Sequence, residues 1–502
     1  VKDIILTTIN AKWIHPSLAL RLLKANLGSL EDRCEIIEFA LRQPLQEKLD
    51  SLLTTLPPDG HTRILGISVS IWNHTATIEL LKELNKLWSK KPIIVLGGPE
   101  VSYLPPDAEI FHYADYVIQG EGEVTFRLLC EELLLIVNDV SCAEKIIPDE
   151  PTNLNNLKTA YHLYTDEDLG KKLIYVESSR GCPFKCDFCL SAIDNKVREF
   201  PLDQFLKEMD SLITRGVRTF KFLDRSININ IKRSLQIIEF FLDKINNTSK
   251  ASAPSASSEP EVRRLCENSS PCKSADSNTI SNEHPPFVVH FEMVPSLFPP
   301  ELCEALARFP SGTLRLEIGI QTLNPEVSAR INRPSNPEKE LEALKFLREK
   351  TNAIIHADLI AGLPGENLES FGNGFDRLWS ALYADGKCGD KAAACEIQLG
   401  ILKLLPGAPI ARFNEEFGMS YNSQPPYEIE KTSSISVNEL KRVKNFARFW
   451  EIIVNRGLLN IPYKGPVFKK FMAFSDELLE FFGKNWGINK SDLINKIANA
   501  CL

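Results

Sequence analysis

The chain has 502 residues, 43% of them hydrophobic and 25% charged, a length that suits two to four domains and a composition with ample core. Its net charge of −8 argues against bulk electrostatic binding of nucleic acid, and no apolar run reaches the ~20 residues of a membrane span. The opening VKDIILTTINAKW lacks the pattern of a signal peptide, so a cytoplasmic protein is expected.

Residues 1–150 alternate short apolar runs with helical periodicity. DIILTTIN (3–10) reads as a strand, PSLALRLLKANLGSL (16–30) as a helix, and CEIIEFAL as the next strand. RILGISVSIWN (63–73) is a stronger strand and TIELLKELNKLW a helix. PIIVLGGPE (92–100) is a strand ending in a Gly-Gly turn, and ADYVIQGEGE (114–123) closes the series. This alternation predicts an α/β fold beginning with a Rossmann-like, doubly wound parallel sheet. Ligands bind outside the carboxyl ends of such strands, where Asn10, Ser68, Ser70, Gly97, Gly98 and Gly120 to Glu123 fall. No G-x-G-x-x-G follows the first strand, and there is no Walker loop.

A second alternation begins near residue 173. Its strands are KLIYVESS, TFKFLD (219–224), FVVHFEM (287–293), LRLEIGIQ (314–321), AIIHADLIAG (353–362) and EIQLGILKLLP (396–406). Six βα units suit an open sheet as well as a barrel. A partial (β/α)6 TIM-like barrel over 170–245 and 287–412 is the expected form, with polar strand ends at its mouth. Residues 246–286 are rich in Ser, Asn and Pro and lack apolar periodicity, which predicts a disordered insertion. The segment 425–502 predicts a small helical C-terminal domain. Its Phe446, Phe449, Trp450, Phe481, Phe482 and Trp486 read as core.

Twelve cysteines in this length are too sparse for a disulfide scaffold. Cys266 and Cys272 sit in the polar insertion, and Cys388 and Cys395 in a Gly/Ala-rich loop; a structural role or none is expected for them. Only Cys182, Cys186 and Cys189, in GCPFKCDFCLSA (181–192), form a cluster. Thiolates select zinc or iron–sulfur clusters. A closed zinc site needs a fourth ligand, and the nearest histidine, His162, lies twenty residues before Cys182. A [4Fe–4S] cube held by three thiolates keeps one iron open for a substrate or cofactor.

This CxxxCxxC, with Phe188 before its last cysteine, resembles the radical S-adenosylmethionine superfamily. The resemblance implies that the open iron chelates S-adenosylmethionine and that one electron cleaves it to a 5′-deoxyadenosyl radical. It places Asp224 of FLDRSIN near the methionine moiety, although the Gly-Gly-Glu form of that motif is absent and a strand-capping carboxylate reads equally well. It turns Glu317 and Gln321 toward the cofactor, with Glu292 on a neighbouring strand. Gly362 in ADLIAGLPGE either packs against adenine or makes the turn there. Arg315 and His356 are pocket residues or members of surface or core pairs.

GISVSIWN, IIVLGGPEVS and YVIQGEGE, followed by RGCPFKCDFC, resemble the cobalamin-binding subgroup over about residues 1–410. That resemblance implies a cobalamin site formed by Ser68, Ser70, Trp72, Gly97, Gly98, Pro99, Glu100, Gly120, Glu121, Gly122 and Glu123. The D-x-H-x-x-G of methionine-synthase-like domains is missing, so His15 is expected at a helix start rather than on cobalt. The C-terminal helices resemble an uncharacterised extension in one bacterial branch. The expected activity is methyl transfer to an unactivated carbon using a [4Fe–4S] cluster, S-adenosylmethionine and cobalamin. A flavodoxin or ferredoxin is implied as electron donor. A non-methylating rearrangement or cyclisation, and a cobalamin- or cluster-binding sensor without turnover, remain open. The substrate is not legible.

Overall fold

The computed structural model describes residues 2–56, 64–135, 144–148, 151–194, 196–251, 288–383, 395–458 and 465–498. The first sheet comprises β1 (Ile4–Asn10), β2 (Cys34–Ala40), β3 (Ile64–Ser68), β4 (Ile93–Gly97), β5 (Tyr116–Gln119) and β6 (Ile146–Pro148). Its six strands lie in the order β2-β1-β3-β4-β5-β6, all parallel. Every residue of β1 is buried, as a strand covered on both faces must be. Ile5, Ile9, Leu65, Ile67 and Leu96 belong to one apolar core, and Ile4, Leu6, Ile64 and Val95 to another. The strand order reverses between β1 and β3, which opens a crevice at their carboxyl ends. The helix expected over 16–30 is shorter, Leu18–Ala25, capped by the Ser17 hydroxyl, and the chain tightens to a 3-10 helix at Gly28–Arg33. The three-residue β6 was too short to announce itself by periodicity.

The second sheet comprises β7 (Ile174–Val176), β10 (Thr219–Phe222), β11 (Val288–Met293), β12 (Leu314–Gln321), β13 (Ile354–Ala361) and β14 (Cys395–Ile401); a two-residue pair, β8 (Ser179–Arg180) and β9 (Arg198–Glu199), lies apart from it. Its order is β14-β13-β12-β11-β10-β7, so each parallel strand lies beside its predecessor. Right-handed crossovers in a sequential order put all the helices on one side, the form of a partial barrel. The burial pattern agrees. Val289, Phe291 and Met293 are buried while His290 and Glu292 are only half-buried, and β12 and β13 alternate in the same way.

Helix Ile231–Ala251 carries helical structure into the first six residues of the segment expected to be disordered; the rest of that segment lies outside the described residues. Helices Val437–Trp450, Phe468–Phe482 and Lys490–Ala498 form the C-terminal part. Phe446, Phe449 and Trp450 are buried, and Phe446 and Trp450 meet Phe375 of helix Leu368–Leu382 edge-on. Phe481 and Trp486 depart from the core reading: they are 62% and 67% exposed. Helix Phe468–Phe482 buries Phe468, Phe471, Met472 and Leu478 instead, and Trp486 lies under the Arg448 guanidinium at 3.8 Å. No described helix is long and apolar enough to cross a membrane.

Candidate active site

The three clustered cysteines ride on the loop between β8 and β9, whose residues pair antiparallel. Gly181 has φ +85°, and a Cβ there would stand 2.1 Å from the Lys196 carbonyl oxygen. Only glycine lets the two limbs of the loop cross so closely. Asp187 pins the loop from the other side. Its N–H donates to the Ile331 carbonyl, its carbonyl accepts from the Ile410 N–H, and its carboxylate accepts from Asn332 and Arg412. The Cys189 N–H donates to the Cys186 carbonyl at 3.0 Å.

Cys182, Cys186 and Cys189 line a cavity of about 200 Å³ together with Phe188, Arg225, Glu292, Glu317, Gln321, Arg333 and Asp358. Burial pushes the Cys182 and Cys186 thiols up, and the Arg333 guanidinium pulls both partly back. Among the described residues no three His, Cys, Asp or Glu side chains converge on a single ion. A cube is met at separate corner irons, so its thiolates need not converge on one point. Glu317 is held down to about 2, chiefly by the His290 ring 3.2 Å away, and Lys221 stands 3.6 Å away. Burial, and then the Glu317 charge, push Glu292 up to about 7. The same two causes drive Asp358 well above the carboxylate range. Gln321 sits at a register shift in the β12–β13 pairing with φ +67°, a strained backbone of the kind that collects at ligand sites.

A second cavity, of about 390 Å³, lies at the carboxyl ends of β3, β4 and β5, against Leu6 of β1. Ser68, Gly97, Gly98, Pro99, Gly120, Glu121, Gly122 and Glu123 line it, with apolar Leu18, Leu22, Ile67 and Leu96. Gly98 has φ +103°, and a Cβ would stand 2.6 Å from the Val69 carbonyl oxygen. Leu190, Ser191, Glu177 and Arg180 from the second unit complete the wall. Arg180 joins the two units. Its guanidinium meets Glu121 at 2.9 Å, Glu123 at 2.6 Å and Glu177 at 2.8 Å, and Arg198 also pairs with Glu121. Burial pushes Glu123 up against the pull of Arg180. Ser191 lines both cavities.

Not every residue singled out in the sequence faces a cavity of this pair. Asp224 is buried and accepts from the Ser178 N–H and from the Ser178 and Ser179 hydroxyls at 2.6–2.8 Å, so it fixes the approach to the cysteine loop. Gly362, at φ +90°, packs against Ile429. The Ser70 N–H donates to the Asn73 side chain. Trp72 is 50% exposed and donates to the Ile9 carbonyl. Glu100 bonds with His74 and accepts from Tyr427. His15 meets the Tyr175 hydroxyl at 2.8 Å. Arg180, Arg225, Arg333 and Asp358 were not anticipated. The period-two polar residues of IIHADL, His356 and Asp358, carried the one signal that could have found Asp358.

The residues present fit the groups implied by the sequence. Buried Oδ1 of Asp358 lacks a hydrogen-bond partner, and three carboxyl groups beside the cysteines, of which Glu317 is held ionised, suit a ligand bearing sulfonium and ammonium charge. Buried Oε2 of Glu123 also lacks a partner, which suits an amide donor on the rim of a corrin.

Comparison with known proteins matches a domain model to each unit. The B12 binding domain model matches residues 4–130, and the radical SAM superfamily model matches 176–378. An uncharacterized methyltransferase of Pyrococcus horikoshii is 25% identical over 44% of the chain and 51% of its own length. The cobalamin-dependent radical SAM methyltransferase TokK of Streptomyces tokunonensis is 25% identical over 39% of the chain and 30% of its own length. The chain thus aligns with only about a third to a half of these curated relatives. In fold it is similar to the radical S-adenosylmethionine methyltransferase TsrM of Kitasatospora setae, with TM-score 0.59 and 16% identity over 84% of this chain and 79% of that one. It is also similar to the cobalamin-dependent S-adenosylmethionine radical enzyme OxsB, with TM-score 0.60 and 15% identity over 98% of this chain and 74% of that one. The B12 domain implies cobalamin, and the radical SAM domain implies S-adenosylmethionine and a [4Fe–4S] cluster. The chain thus carries a B12 binding domain ahead of a radical SAM domain, the order found in the similar cobalamin-dependent radical enzymes.

Proposed function

We propose that the protein is a cobalamin-dependent radical S-adenosylmethionine methyltransferase acting on an unactivated carbon. One observation carries the reading: Ser191, two residues after Cys189, is a wall of both cavities, so ligands in the two would meet there. The name of TokK supports methyl transfer as the outcome. Cys182, Cys186 and Cys189 would hold the cluster. Phe188, Glu317 and Gln321 would border S-adenosylmethionine, and Ser68, Gly97, Gly98, Pro99 and Gly120 to Glu123 the corrin. When bound, these groups supply a radical that removes a hydrogen atom and a methyl group that replaces it.

The chain's own part is placement. Gly181, Asp187 and Asp224 fix the cysteine loop. Glu292, Glu317 and Asp358 face positive charge, and the apolar wall of the larger cavity excludes water. The same reading assigns residues 1–150 to cobalamin and 170–412, less the insertion, to the radical reaction. It places the protein in the cytoplasm, with a flavodoxin or ferredoxin as donor. The test is to load the protein with both cofactors, add S-adenosylmethionine and a low-potential reductant, and assay 5′-deoxyadenosine and S-adenosylhomocysteine. Both should form, and neither in Cys186→Ala. 5′-Deoxyadenosine alone would remove methyl transfer; neither product in the parent would remove the enzyme.

A further inference from the structure

Helix Pro325–Arg330 ends in a turn whose Asn332 has φ +52°. Arg333 follows, held in extended backbone by the proline after it. Its N–H donates to the Ser328 carbonyl at 3.0 Å, and its carbonyl accepts from the Ser328 hydroxyl at 2.8 Å. The turn is therefore locked against its own helix. From it, two adjacent side chains grip two adjacent residues of the cysteine loop. Asn332 donates to the Asp187 carboxylate, and Arg333 Nη1 stands 3.9 Å from Cys186 Sγ. The other Arg333 nitrogen, Nη2, donates to the Gly319 carbonyl of β12, and Nε is buried without a partner. Among the described residues this guanidinium forms no ion pair with a carboxylate. Among those residues its one anionic partner at hydrogen-bonding distance is a thiolate position, with Glu340 and Asp358 in electrostatic reach but not paired to it.

We propose that Arg333 sets the reduction potential of the cluster through an N–H···S hydrogen bond to Cys186. The inference rests on the proposed function, in which Cys186 is a cluster ligand. Reduction adds one electron from an external low-potential one-electron donor to a cluster already made anionic by three thiolates; no bond is made or broken in that step. A fixed cation and a donor on sulfur stabilise the more negative state, so Arg333 makes the cluster easier to reduce. It is a positioning residue, acting through Cys186.

The test is anaerobic reconstitution of the parent chain and of Arg333→Met, Arg333→Gln, Arg333→Lys and Arg330→Met. Iron is counted, then each is titrated with titanium(III) citrate while the electron-paramagnetic-resonance signal of the reduced cluster is followed. Arg333→Met should weaken the reduction equilibrium about tenfold, a shift of about 59 mV to more negative potential for one electron. Arg333→Lys should fall between Arg333→Met and the parent. Arg330→Met removes a cation of the same turn that bonds the Pro364 carbonyl rather than sulfur, and should titrate with the parent. Arg333→Met with full iron at the parent potential, or Arg330→Met shifted equally, overturns the inference. If Arg333→Met holds no iron, Arg333→Gln must titrate below Arg333→Lys; equal potentials overturn it. A parent that takes up no cluster refutes the proposed function itself.

Discussion

The two sheets meet their cavities in different ways. The first is largely apolar on both faces, and the polar and glycine residues that line its cavity, Ser68, Gly97, Gly98 and Gly120 to Glu123, cluster at strand ends, with Leu6, Gly66 and Val95 as its floor, so the cavity opens at the carboxyl edge of the sheet. The second is apolar on one face and carries His290, Glu292, Glu317, His356, Asp358 and Gln398 on the other, so the sheet itself is the wall. Winding explains the contrast. A strand order that reverses puts helices on both faces, and polar groups under a helix would be costly without partners. A sequential order leaves one face uncovered by helices, where charged groups can pair with each other and with a ligand. The first architecture cradles a large ligand at its edge; the second surrounds a small charged one.

The largest effect that tests this division is on the cysteine loop. Cys186→Ala should abolish iron incorporation while leaving cobalamin uptake intact, as metal analysis after reconstitution would show. Loss of cobalt as well would mean that the two sites are not separate. Arg180→Met attacks the join between them. It strands Glu123 and Glu177 around a nearly buried position, while Glu121 keeps Arg198, and breaking such a pair costs about 3–5 kcal/mol. Thermal unfolding should show a clear loss of stability; an unchanged Tm would mean that the network is idle.

Smaller and confined to the first unit is Gly98→Val. The left-handed φ and the close Val69 carbonyl impose strain of about 1–3 kcal/mol, so cobalamin affinity should fall roughly tenfold or more with iron content unchanged. Equal loss of both cofactors would contradict a local cradle.

The smallest effect belongs to the second sheet alone. Glu292 is pushed up to about 7, above the ~4.3 of an unfolded glutamate. The folded state therefore keeps a proton that the unfolded chain has released. That contribution is full below the unfolded value and is lost as pH rises through about 7. Glu292→Gln should flatten this part of the fall in Tm of the cofactor-free protein between about pH 5 and 8. An identical slope in the variant would contradict burial of the neutral acid.

Much of this was legible because it is local. Apolar runs in the first sheet and polar–apolar alternation in the second mark every strand of the two sheets but β6, and the spacing of three cysteines points to the cluster. Ser68, Gly97, Gly98 and Gly120 to Glu123 could be read from strand-end chemistry. What was not legible depends on which distant segments become neighbours. Arg180 is an ordinary basic residue until Glu121 and Glu123 come to face it, and Arg333 stands 147 residues from Cys186. Ser70, Trp72, Glu100 and Gly362 sit inside the same motifs as the lining residues. The fold spends them on holding turns, through Asn73, Ile9, Tyr427 and Ile429, a distinction that sequence spacing does not carry.

The most direct measurement is anaerobic reconstitution of the chain with iron, sulfide and hydroxocobalamin, followed by desalting and a count of both metals. The account predicts four irons and one cobalt per chain, the number in one [4Fe–4S] cluster and one cobalamin. Iron without cobalt, or cobalt without iron, would contradict a protein built to bring the two cofactors together.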